Sequence, residues 1–113
     1  MKDTMKAIFI DTLNQQVREV EIPRKGLQKV YELIGENCGL VEIAARVKND
    51  VVFVDEEGLF NGKAGCFTFE GSHPFHGSGV VCGGTPSGNS ADVKLTVEEV
   101  RKRVQFGILV PKF

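Results

Sequence analysis

Hydrophobic positions along the chain switch between a period of two and a period near three and a half, and the switch points divide it into elements. Ala7-Ile8-Phe9-Ile10 is apolar on both faces and predicts an inner strand. Residues 17–22 set Val20 and Ile22 on one side and Glu19 and Glu21 on the other, the signature of a half-exposed neighbour. Residues 12–15 would close that hairpin, and Pro23, with no N–H to give a ladder, ends it. From Gly26 the period lengthens: Leu27, Val30, Tyr31 and Ile34 form one stripe, so a helix is expected over 26–35, with Gly35 as its left-handed terminator.

Period two then returns, with Val41, Ile43, Ala45 and Val47 predicted to share a core face and Glu42, Ala44 and Arg46 to oppose them. After a turn at Asn49-Asp50, the run Val51-Val52-Phe53-Val54 has no polar face, which predicts burial on both sides and places the 41–62 hairpin at the centre of the sheet. Asp55-Glu56-Glu57-Gly58 reads as a solvated turn in which Gly58 supplies a positive φ. Leu59-Phe60, the pair Asn61-Gly62 and the segment Cys66-Phe67-Thr68-Phe69 predict a further hairpin, with Phe67 and Phe69 on one face.

Between 70 and 90 the composition changes to Gly, Pro, Ser, Thr and His. A short strand at Val80-Val81-Cys82 is expected between two loops, the second of them, 83–90, mobile. Residues 92–95 predict another short strand. Thr96-Val97-Glu98-Glu99 is a capping box that starts a helix over 97–106, with Val97, Val100 and Val104 as its stripe and Arg101-Lys102-Arg103 near its negative end. Gly107 is expected to stop it, leaving Ile108-Leu109-Val110 as an apolar tail that packs on its own domain or on a second subunit. The expected fold is α+β: one domain over 1–113, a mostly antiparallel sheet of about five to seven strands carrying two helices. Residues 1–5 are read as a loose extension, with Met5 an alternative start, and 107–113 as the tail.

Composition narrows the classes. With 113 residues, 42% hydrophobic and 26% charged, the chain can bury one core and has no room for a second. Fourteen basic residues against fifteen acidic give a net charge of -1, so no global electrostatic footprint suits a nucleic acid polymer or an anionic membrane surface. The apolar run at 7–10 is too short for a leader or a membrane span. Three cysteines, Cys38, Cys66 and Cys82, lack framework spacing and predict free thiols in a reducing compartment, hence a cytoplasmic protein.

Four side chains, Cys66, His73, His76 and Cys82, have the donor chemistry of a zinc site. Both cysteines, however, sit in apolar runs where a thiol acts as a small hydrophobe, and no metal or cofactor is expected. A nucleophile and base could be assembled from any of the cysteines with His73 or His76 and Asp55, but no local signature accompanies them, and Ser78 lacks the strand-to-helix turn of a nucleophile elbow. The segment 71–88 carries more. Gly77-Ser78-Gly79 and the run from Gly83 to Gly88 offer backbone amides and hydroxyls suited to an anion, while His73, Phe75 and His76 could stack on a planar ring. It is neither a Walker loop nor a dinucleotide fingerprint. The candidate ligand-binding residues are therefore His73, Phe75, His76, Ser78, Gly79, Thr85 and Ser87, with Asp55 in reserve.

The runs Val30-Tyr31-Glu32-Leu33-Ile34-Gly35, Cys38-Gly39-Leu40-Val41-Glu42, Val52-Phe53-Val54-Asp55-Glu56-Glu57-Gly58-Leu59 and Gly79-Val80-Val81-Cys82-Gly83 resemble a family of small phage and mobile-element domains, domain of unknown function 3846. That resemblance implies an α+β fold and an accessory role in a phage or mobile element, and supplies no catalytic residues. The His-containing segment between Phe69 and Gly79 departs from the family pattern. Together these readings give a non-catalytic binding protein, a homo-oligomer that sequesters a nucleotide-type phosphorylated small molecule such as a host defence signal. The alternatives are an interaction module that inhibits a host protein and a small enzyme using Cys or His with Asp55.

Overall fold

Nine strands and two helices are found among residues 3–26, 28–35, 39–58, 65–87 and 89–108, the parts of the chain described by the computed structural model. They form a single α+β domain with an almost wholly antiparallel framework, as the patterning predicts. The larger sheet runs in the order β2 (Gln16–Pro23), β1 (Thr4–Asp11), β7 (Gly79–Gly84), β4 (Asp50–Asp55), β3 (Val41–Val47), and β8 (Ser90–Ala91) pairs with the end of β7. The smaller sheet has β5 (Gly65–Phe69) between β6 (Phe75–His76) and β9 (Val104–Ile108). The helices are α1 (Gln28–Ile34) and α2 (Val97–Arg103). No described helix is long and apolar enough to cross a membrane.

The larger sheet separates two cores. On one face Met5, Ala7, Phe9, Ile22, Val80 and Cys82 pack with Val30 and Ile34 of α1. On the other, Ile8, Ile10, Val52, Val54 and Val81 meet Phe67, Phe69 and Phe75 of the smaller sheet and Val100 of α2. β1 and β4 carry apolar residues toward both cores, which is why neither shows a polar period. At the start of β1, Thr4 pairs with Pro23 and Met5 is buried, so these two residues belong to the strand and not to a loose extension.

The central strand is β7, not the 41–62 hairpin. β4 lies inside the sheet, but β3 is an edge. β7 is longer than the short strand expected at 80–82, and it takes in Gly83 and Gly84, which the composition assigned to a mobile loop. Glycine is required there by close approach. A Cβ on Gly79 would lie 2.8 Å from Phe67 Cζ, and one on Gly83 would overlap the Asp92 backbone.

A bulge breaks β3. Ile43 pairs with Phe53 and Ala45 with Val52, leaving Ala44 as the extra residue. Side chains beyond the bulge therefore swap faces. Val41 joins the α1 core, Ala44, Ala45 and Val47 pack on the opposite core, and Ile43 is left exposed. The single shared face expected for Val41, Ile43, Ala45 and Val47 does not exist.

Other differences have equally local causes. Gly58 has no positive φ; its glycine is needed because a Cβ would collide with the carbonyl of His76. Residues 92–95 form no strand. They are held instead by Asp50, whose carboxylate accepts from the amides of Lys94 (3.0 Å) and Leu95 (2.8 Å). The capping box is present, the Thr96 hydroxyl accepting from the Glu99 amide (3.1 Å) and the Glu99 carboxylate from the Thr96 amide (3.0 Å), and those bonds to Thr96 hold the Glu99 carboxyl below its ordinary pKa.

α2 ends at Arg103, earlier than the expected 106, because the segment from Val104 pairs along the whole of β5 as β9. Gly107 is a strand residue against Cys66 and Ile108 pairs with Gly65, so the tail expected over 107–113 begins within β9. The hairpin expected around Asn61-Gly62, the remainder of the tail and Cys38 lie outside the described residues.

Candidate functional site

The eight candidate residues do not form one site. They divide between the two ends of β7, which are five residues and about 17 Å apart along the strand.

At the Gly79 end most of the polar chemistry is already used. The Ser78 hydroxyl is buried and hydrogen-bonded to the Thr12 amide and hydroxyl, each at 3.1 Å, so it secures the β1–β2 turn. Asp55 is buried and its Oδ1 accepts from the Glu57 amide (2.9 Å), closing the turn after β4. Phe75 is a core residue against Phe67, with ring centroids 5.6 Å apart, and so is not available to stack on a ligand. Exposed His73 packs against Phe75 with its ring tilted by 59° and the centroids 4.7 Å apart. His76 sits across β5–β6 from Cys66, with its Nδ1 buried and unpartnered. Gly79 lies against Phe67.

The four zinc candidates are not gathered either. Cys66 and His76 belong to the smaller sheet and Cys82 to the larger, and among the described residues no three His, Cys, Asp or Glu side chains are placed to hold one metal ion. Burial, with a smaller contribution from the Asp50 charge, pushes the Cys82 thiol up to about 12. A thiol so protonated is a poor nucleophile near neutral pH.

Thr85, at the other end of β7, borders a cavity of about 430 Å³, with Ser87 beside it in the same turn. Its floor is the α1-side core: Met5, Ile22, Val30, Val51, Phe53 and Cys82. Three connections rise around it. The β2–α1 connection contributes Arg24 and Gly26, the β3–β4 hairpin Arg46 and Asn49, and the β7–β8 turn Gly84 to Pro86 with Asn89 and Ser90. That last turn is fixed by its own bonds, from the Thr85 amide to the Asn89 carbonyl (2.9 Å), from the Asn89 amide to the Thr85 hydroxyl (3.1 Å), and between the Thr85 and Ser87 hydroxyls (2.9 Å).

The described lining holds two guanidinium groups and no carboxylate, although the chain as a whole is slightly acidic. A wall of this kind favours an anion, and the apolar floor favours a ring or hydrocarbon attached to it. Arg46 reaches the cavity because of the bulge at Ala44. By uninterrupted alternation it would face the opposite core; in the shifted register it pairs with Val51, itself paired with Cys82, and these three form a row across the cavity side of the sheet. Neither arginine was singled out from the sequence. Arg24 follows a strand-ending proline in an ordinary polar turn, and the signal for Arg46, the Ala44-Ala45 pair that interrupts the alternation, does not by itself specify a bulge.

A family described as a domain of unknown function, DUF3846, matches residues 5–105 of the chain. No curated protein and no solved structure matches it.

Proposed function

We propose, given that the chain belongs to the domain of unknown function 3846 family and that this description assigns no activity, that it is a non-catalytic binding protein for a small phosphorylated ligand of nucleotide type. The cavity beside the β7–β8 turn is the site. The observation that carries the reading is the pairing of two arginines and no described carboxylate with an apolar floor including Phe53. Arg24 and Arg46 neutralise phosphate, the internally bonded Thr85 turn forms a fixed wall, and the floor takes the base. Of the residues chosen from the sequence, Thr85 lines this site and Ser87 is hydrogen-bonded to it, whereas His73, Phe75, His76, Ser78, Gly79 and Asp55 stand outside it.

In the phage or mobile-element setting that the family resemblance implies, the use of such a site is sequestration of a host signalling nucleotide in the cytoplasm, by a homo-oligomer. Thermal unfolding with a panel of nucleotides at millimolar concentration tests the reading. Ligand at one hundred times its Kd adds about 2.7 kcal/mol of stability, a rise in Tm on the order of 10 °C for a chain of this size. The rise should vanish in Arg46→Glu, and the ligand should be recovered unchanged. Flat responses across the panel, or a rise that survives Arg46→Glu, would overturn the reading.

A further inference from the structure

Arg24 and Arg46 approach the cavity from opposite edges of the sheet. Arg46 is on β3, while Arg24 continues β2 past Pro23, its amide bonded to the Asp3 carbonyl (2.9 Å). These are the two outer strands of the order β2-β1-β7-β4-β3, four inter-strand spacings apart, or ~19 Å.

The two residues are also displaced along the strands. Following the registers from Arg46 through Val51 and Cys82 to β1 reaches Ala7, whose partner on β2 is Val20. Arg24 lies four residues beyond Val20, a further ~13 Å along the strand, which separates the two backbones by about 23 Å in a flat sheet. Two arginine side chains starting that far apart do not close around one phosphate group. They mark the two ends of a trough, and Gly84, lacking a side chain, keeps its middle open between the Asn49 and Asn89 carbonyls.

We infer that the ligand is two-headed: a molecule carrying two separate phosphate groups on a ring-bearing body, the chemistry of a dinucleotide and not of a mononucleotide. Each phosphate meets one arginine, and the body lies on the floor made by Met5, Val51, Phe53 and Cys82. The inference rests on the binding reading above and adds the class of ligand.

Calorimetric titration of the whole chain with two probes tests it: AMP, with one phosphate, and cyclic di-AMP, with two phosphodiesters on opposite sides of its ring. Cyclic di-AMP is expected to bind at least ten times more tightly than AMP. Arg24→Gln and Arg46→Gln should each weaken cyclic di-AMP about tenfold, while AMP is weakened by only one of them. Circular dichroism and melting of both variants check that they fold. Equal affinities for the two probes, or indifference of cyclic di-AMP to either substitution, would overturn the two-headed ligand and leave capture of a single anion standing. Absence of binding by both probes at millimolar concentration would overturn the cavity as a nucleotide site, and the two-headed ligand with it.

Discussion

Gly83 and Gly84 are adjacent, yet alanine at the two positions should have very different consequences. A Cβ on Gly83 would overlap the Asp92 carbonyl oxygen and lie 2.6 Å from its carbon and 2.8 Å from the Ala91 oxygen. Those atoms are not free to retreat. The Asp92 carboxylate accepts from the Lys6 amide (2.8 Å) and the next residue's amide, that of Val93, donates to the Lys6 carbonyl (3.0 Å). Overpacking of this kind costs roughly 1–3 kcal/mol, and the two hydrogen bonds put at risk are each worth about 1 kcal/mol. Gly83→Ala should therefore lose about 3–4 kcal/mol, a large part of the 5–15 kcal/mol typical of a domain, and lower Tm by on the order of 12 °C.

At Gly84 the nearest atoms to a Cβ are the Asn49 oxygen at 3.2 Å and the Asn89 oxygen at 3.5 Å, so a shift of a few tenths of an ångström suffices. Alanine there also gains about 0.4–1 kcal/mol by restricting the unfolded chain. Gly84→Ala should remain within about 1 kcal/mol of the parent while narrowing the cavity. Urea unfolding followed by circular dichroism measures both. Equal tolerance of the two substitutions would mean that 83–84 behaves as a mobile loop and would refute the central placement of β7.

Two further perturbations probe the buried carboxylates. Asp50→Ala removes the acceptor for the Lys94 and Leu95 amides and should cost about 3 kcal/mol in urea unfolding; Asp50→Asn, which keeps one acceptor oxygen, should recover part of it, and a loss under about 1 kcal/mol for the alanine variant would show that the 92–95 segment does not depend on this contact. Asp11 is buried, which raises its pKa, but hydrogen bonds from Asn14 and Arg18 outweigh burial and hold it below its ordinary value of 3.8. Its folded pKa is thus the lower one, so its contribution is complete above the unfolded value and fades as pH falls through the folded one. The stability gap between the parent and Asp11→Asn should be widest near neutral pH and close in acid below the ordinary carboxylate value, and a gap independent of pH would contradict that assignment.

The elements that could be read from the sequence are those whose period has one physical interpretation. β2 follows directly from side-chain alternation, β1 and β4 from unbroken apolar runs, the stripe of α1 from its helical period, and the start of α2 from the reciprocal bonds of Thr96 and Glu99. β7 could not be read in the same way, because glycine permits a loop and also permits close packing. Which applies depends on Phe67 lying over Gly79 and on Asp92 crossing Gly83, contacts that are distant in sequence. The end of α2 was ambiguous for a related reason. Val104 fits the helical stripe, but Val and aromatic residues also suit a strand, and the partner that decides between them is β5, some forty residues earlier.

The candidate site inherited these ambiguities, and β3 shows how. A period-two reading of Val41 to Val47 must choose one face for Arg46, and it chose the face away from the cavity. Two consecutive alanines are small enough to pack side by side on one core, so the strand can take in an extra residue without burying a charge or leaving a large gap. Once it does, Arg46 faces the cavity, on the same side as Val41 and the exposed Ile43 before the bulge. Exposure of Ile43 is unfavourable for folding alone, since its side chain forgoes burial. Ile43 lies before the shift and keeps the face of Val41, so its exposure goes with its place on an edge strand, whereas the shift supplies the positive charge at one end of the trough. The placement of Arg46 is thus the result of one backbone irregularity, and bulges are often found beside binding sites because they can re-aim a side chain in this way.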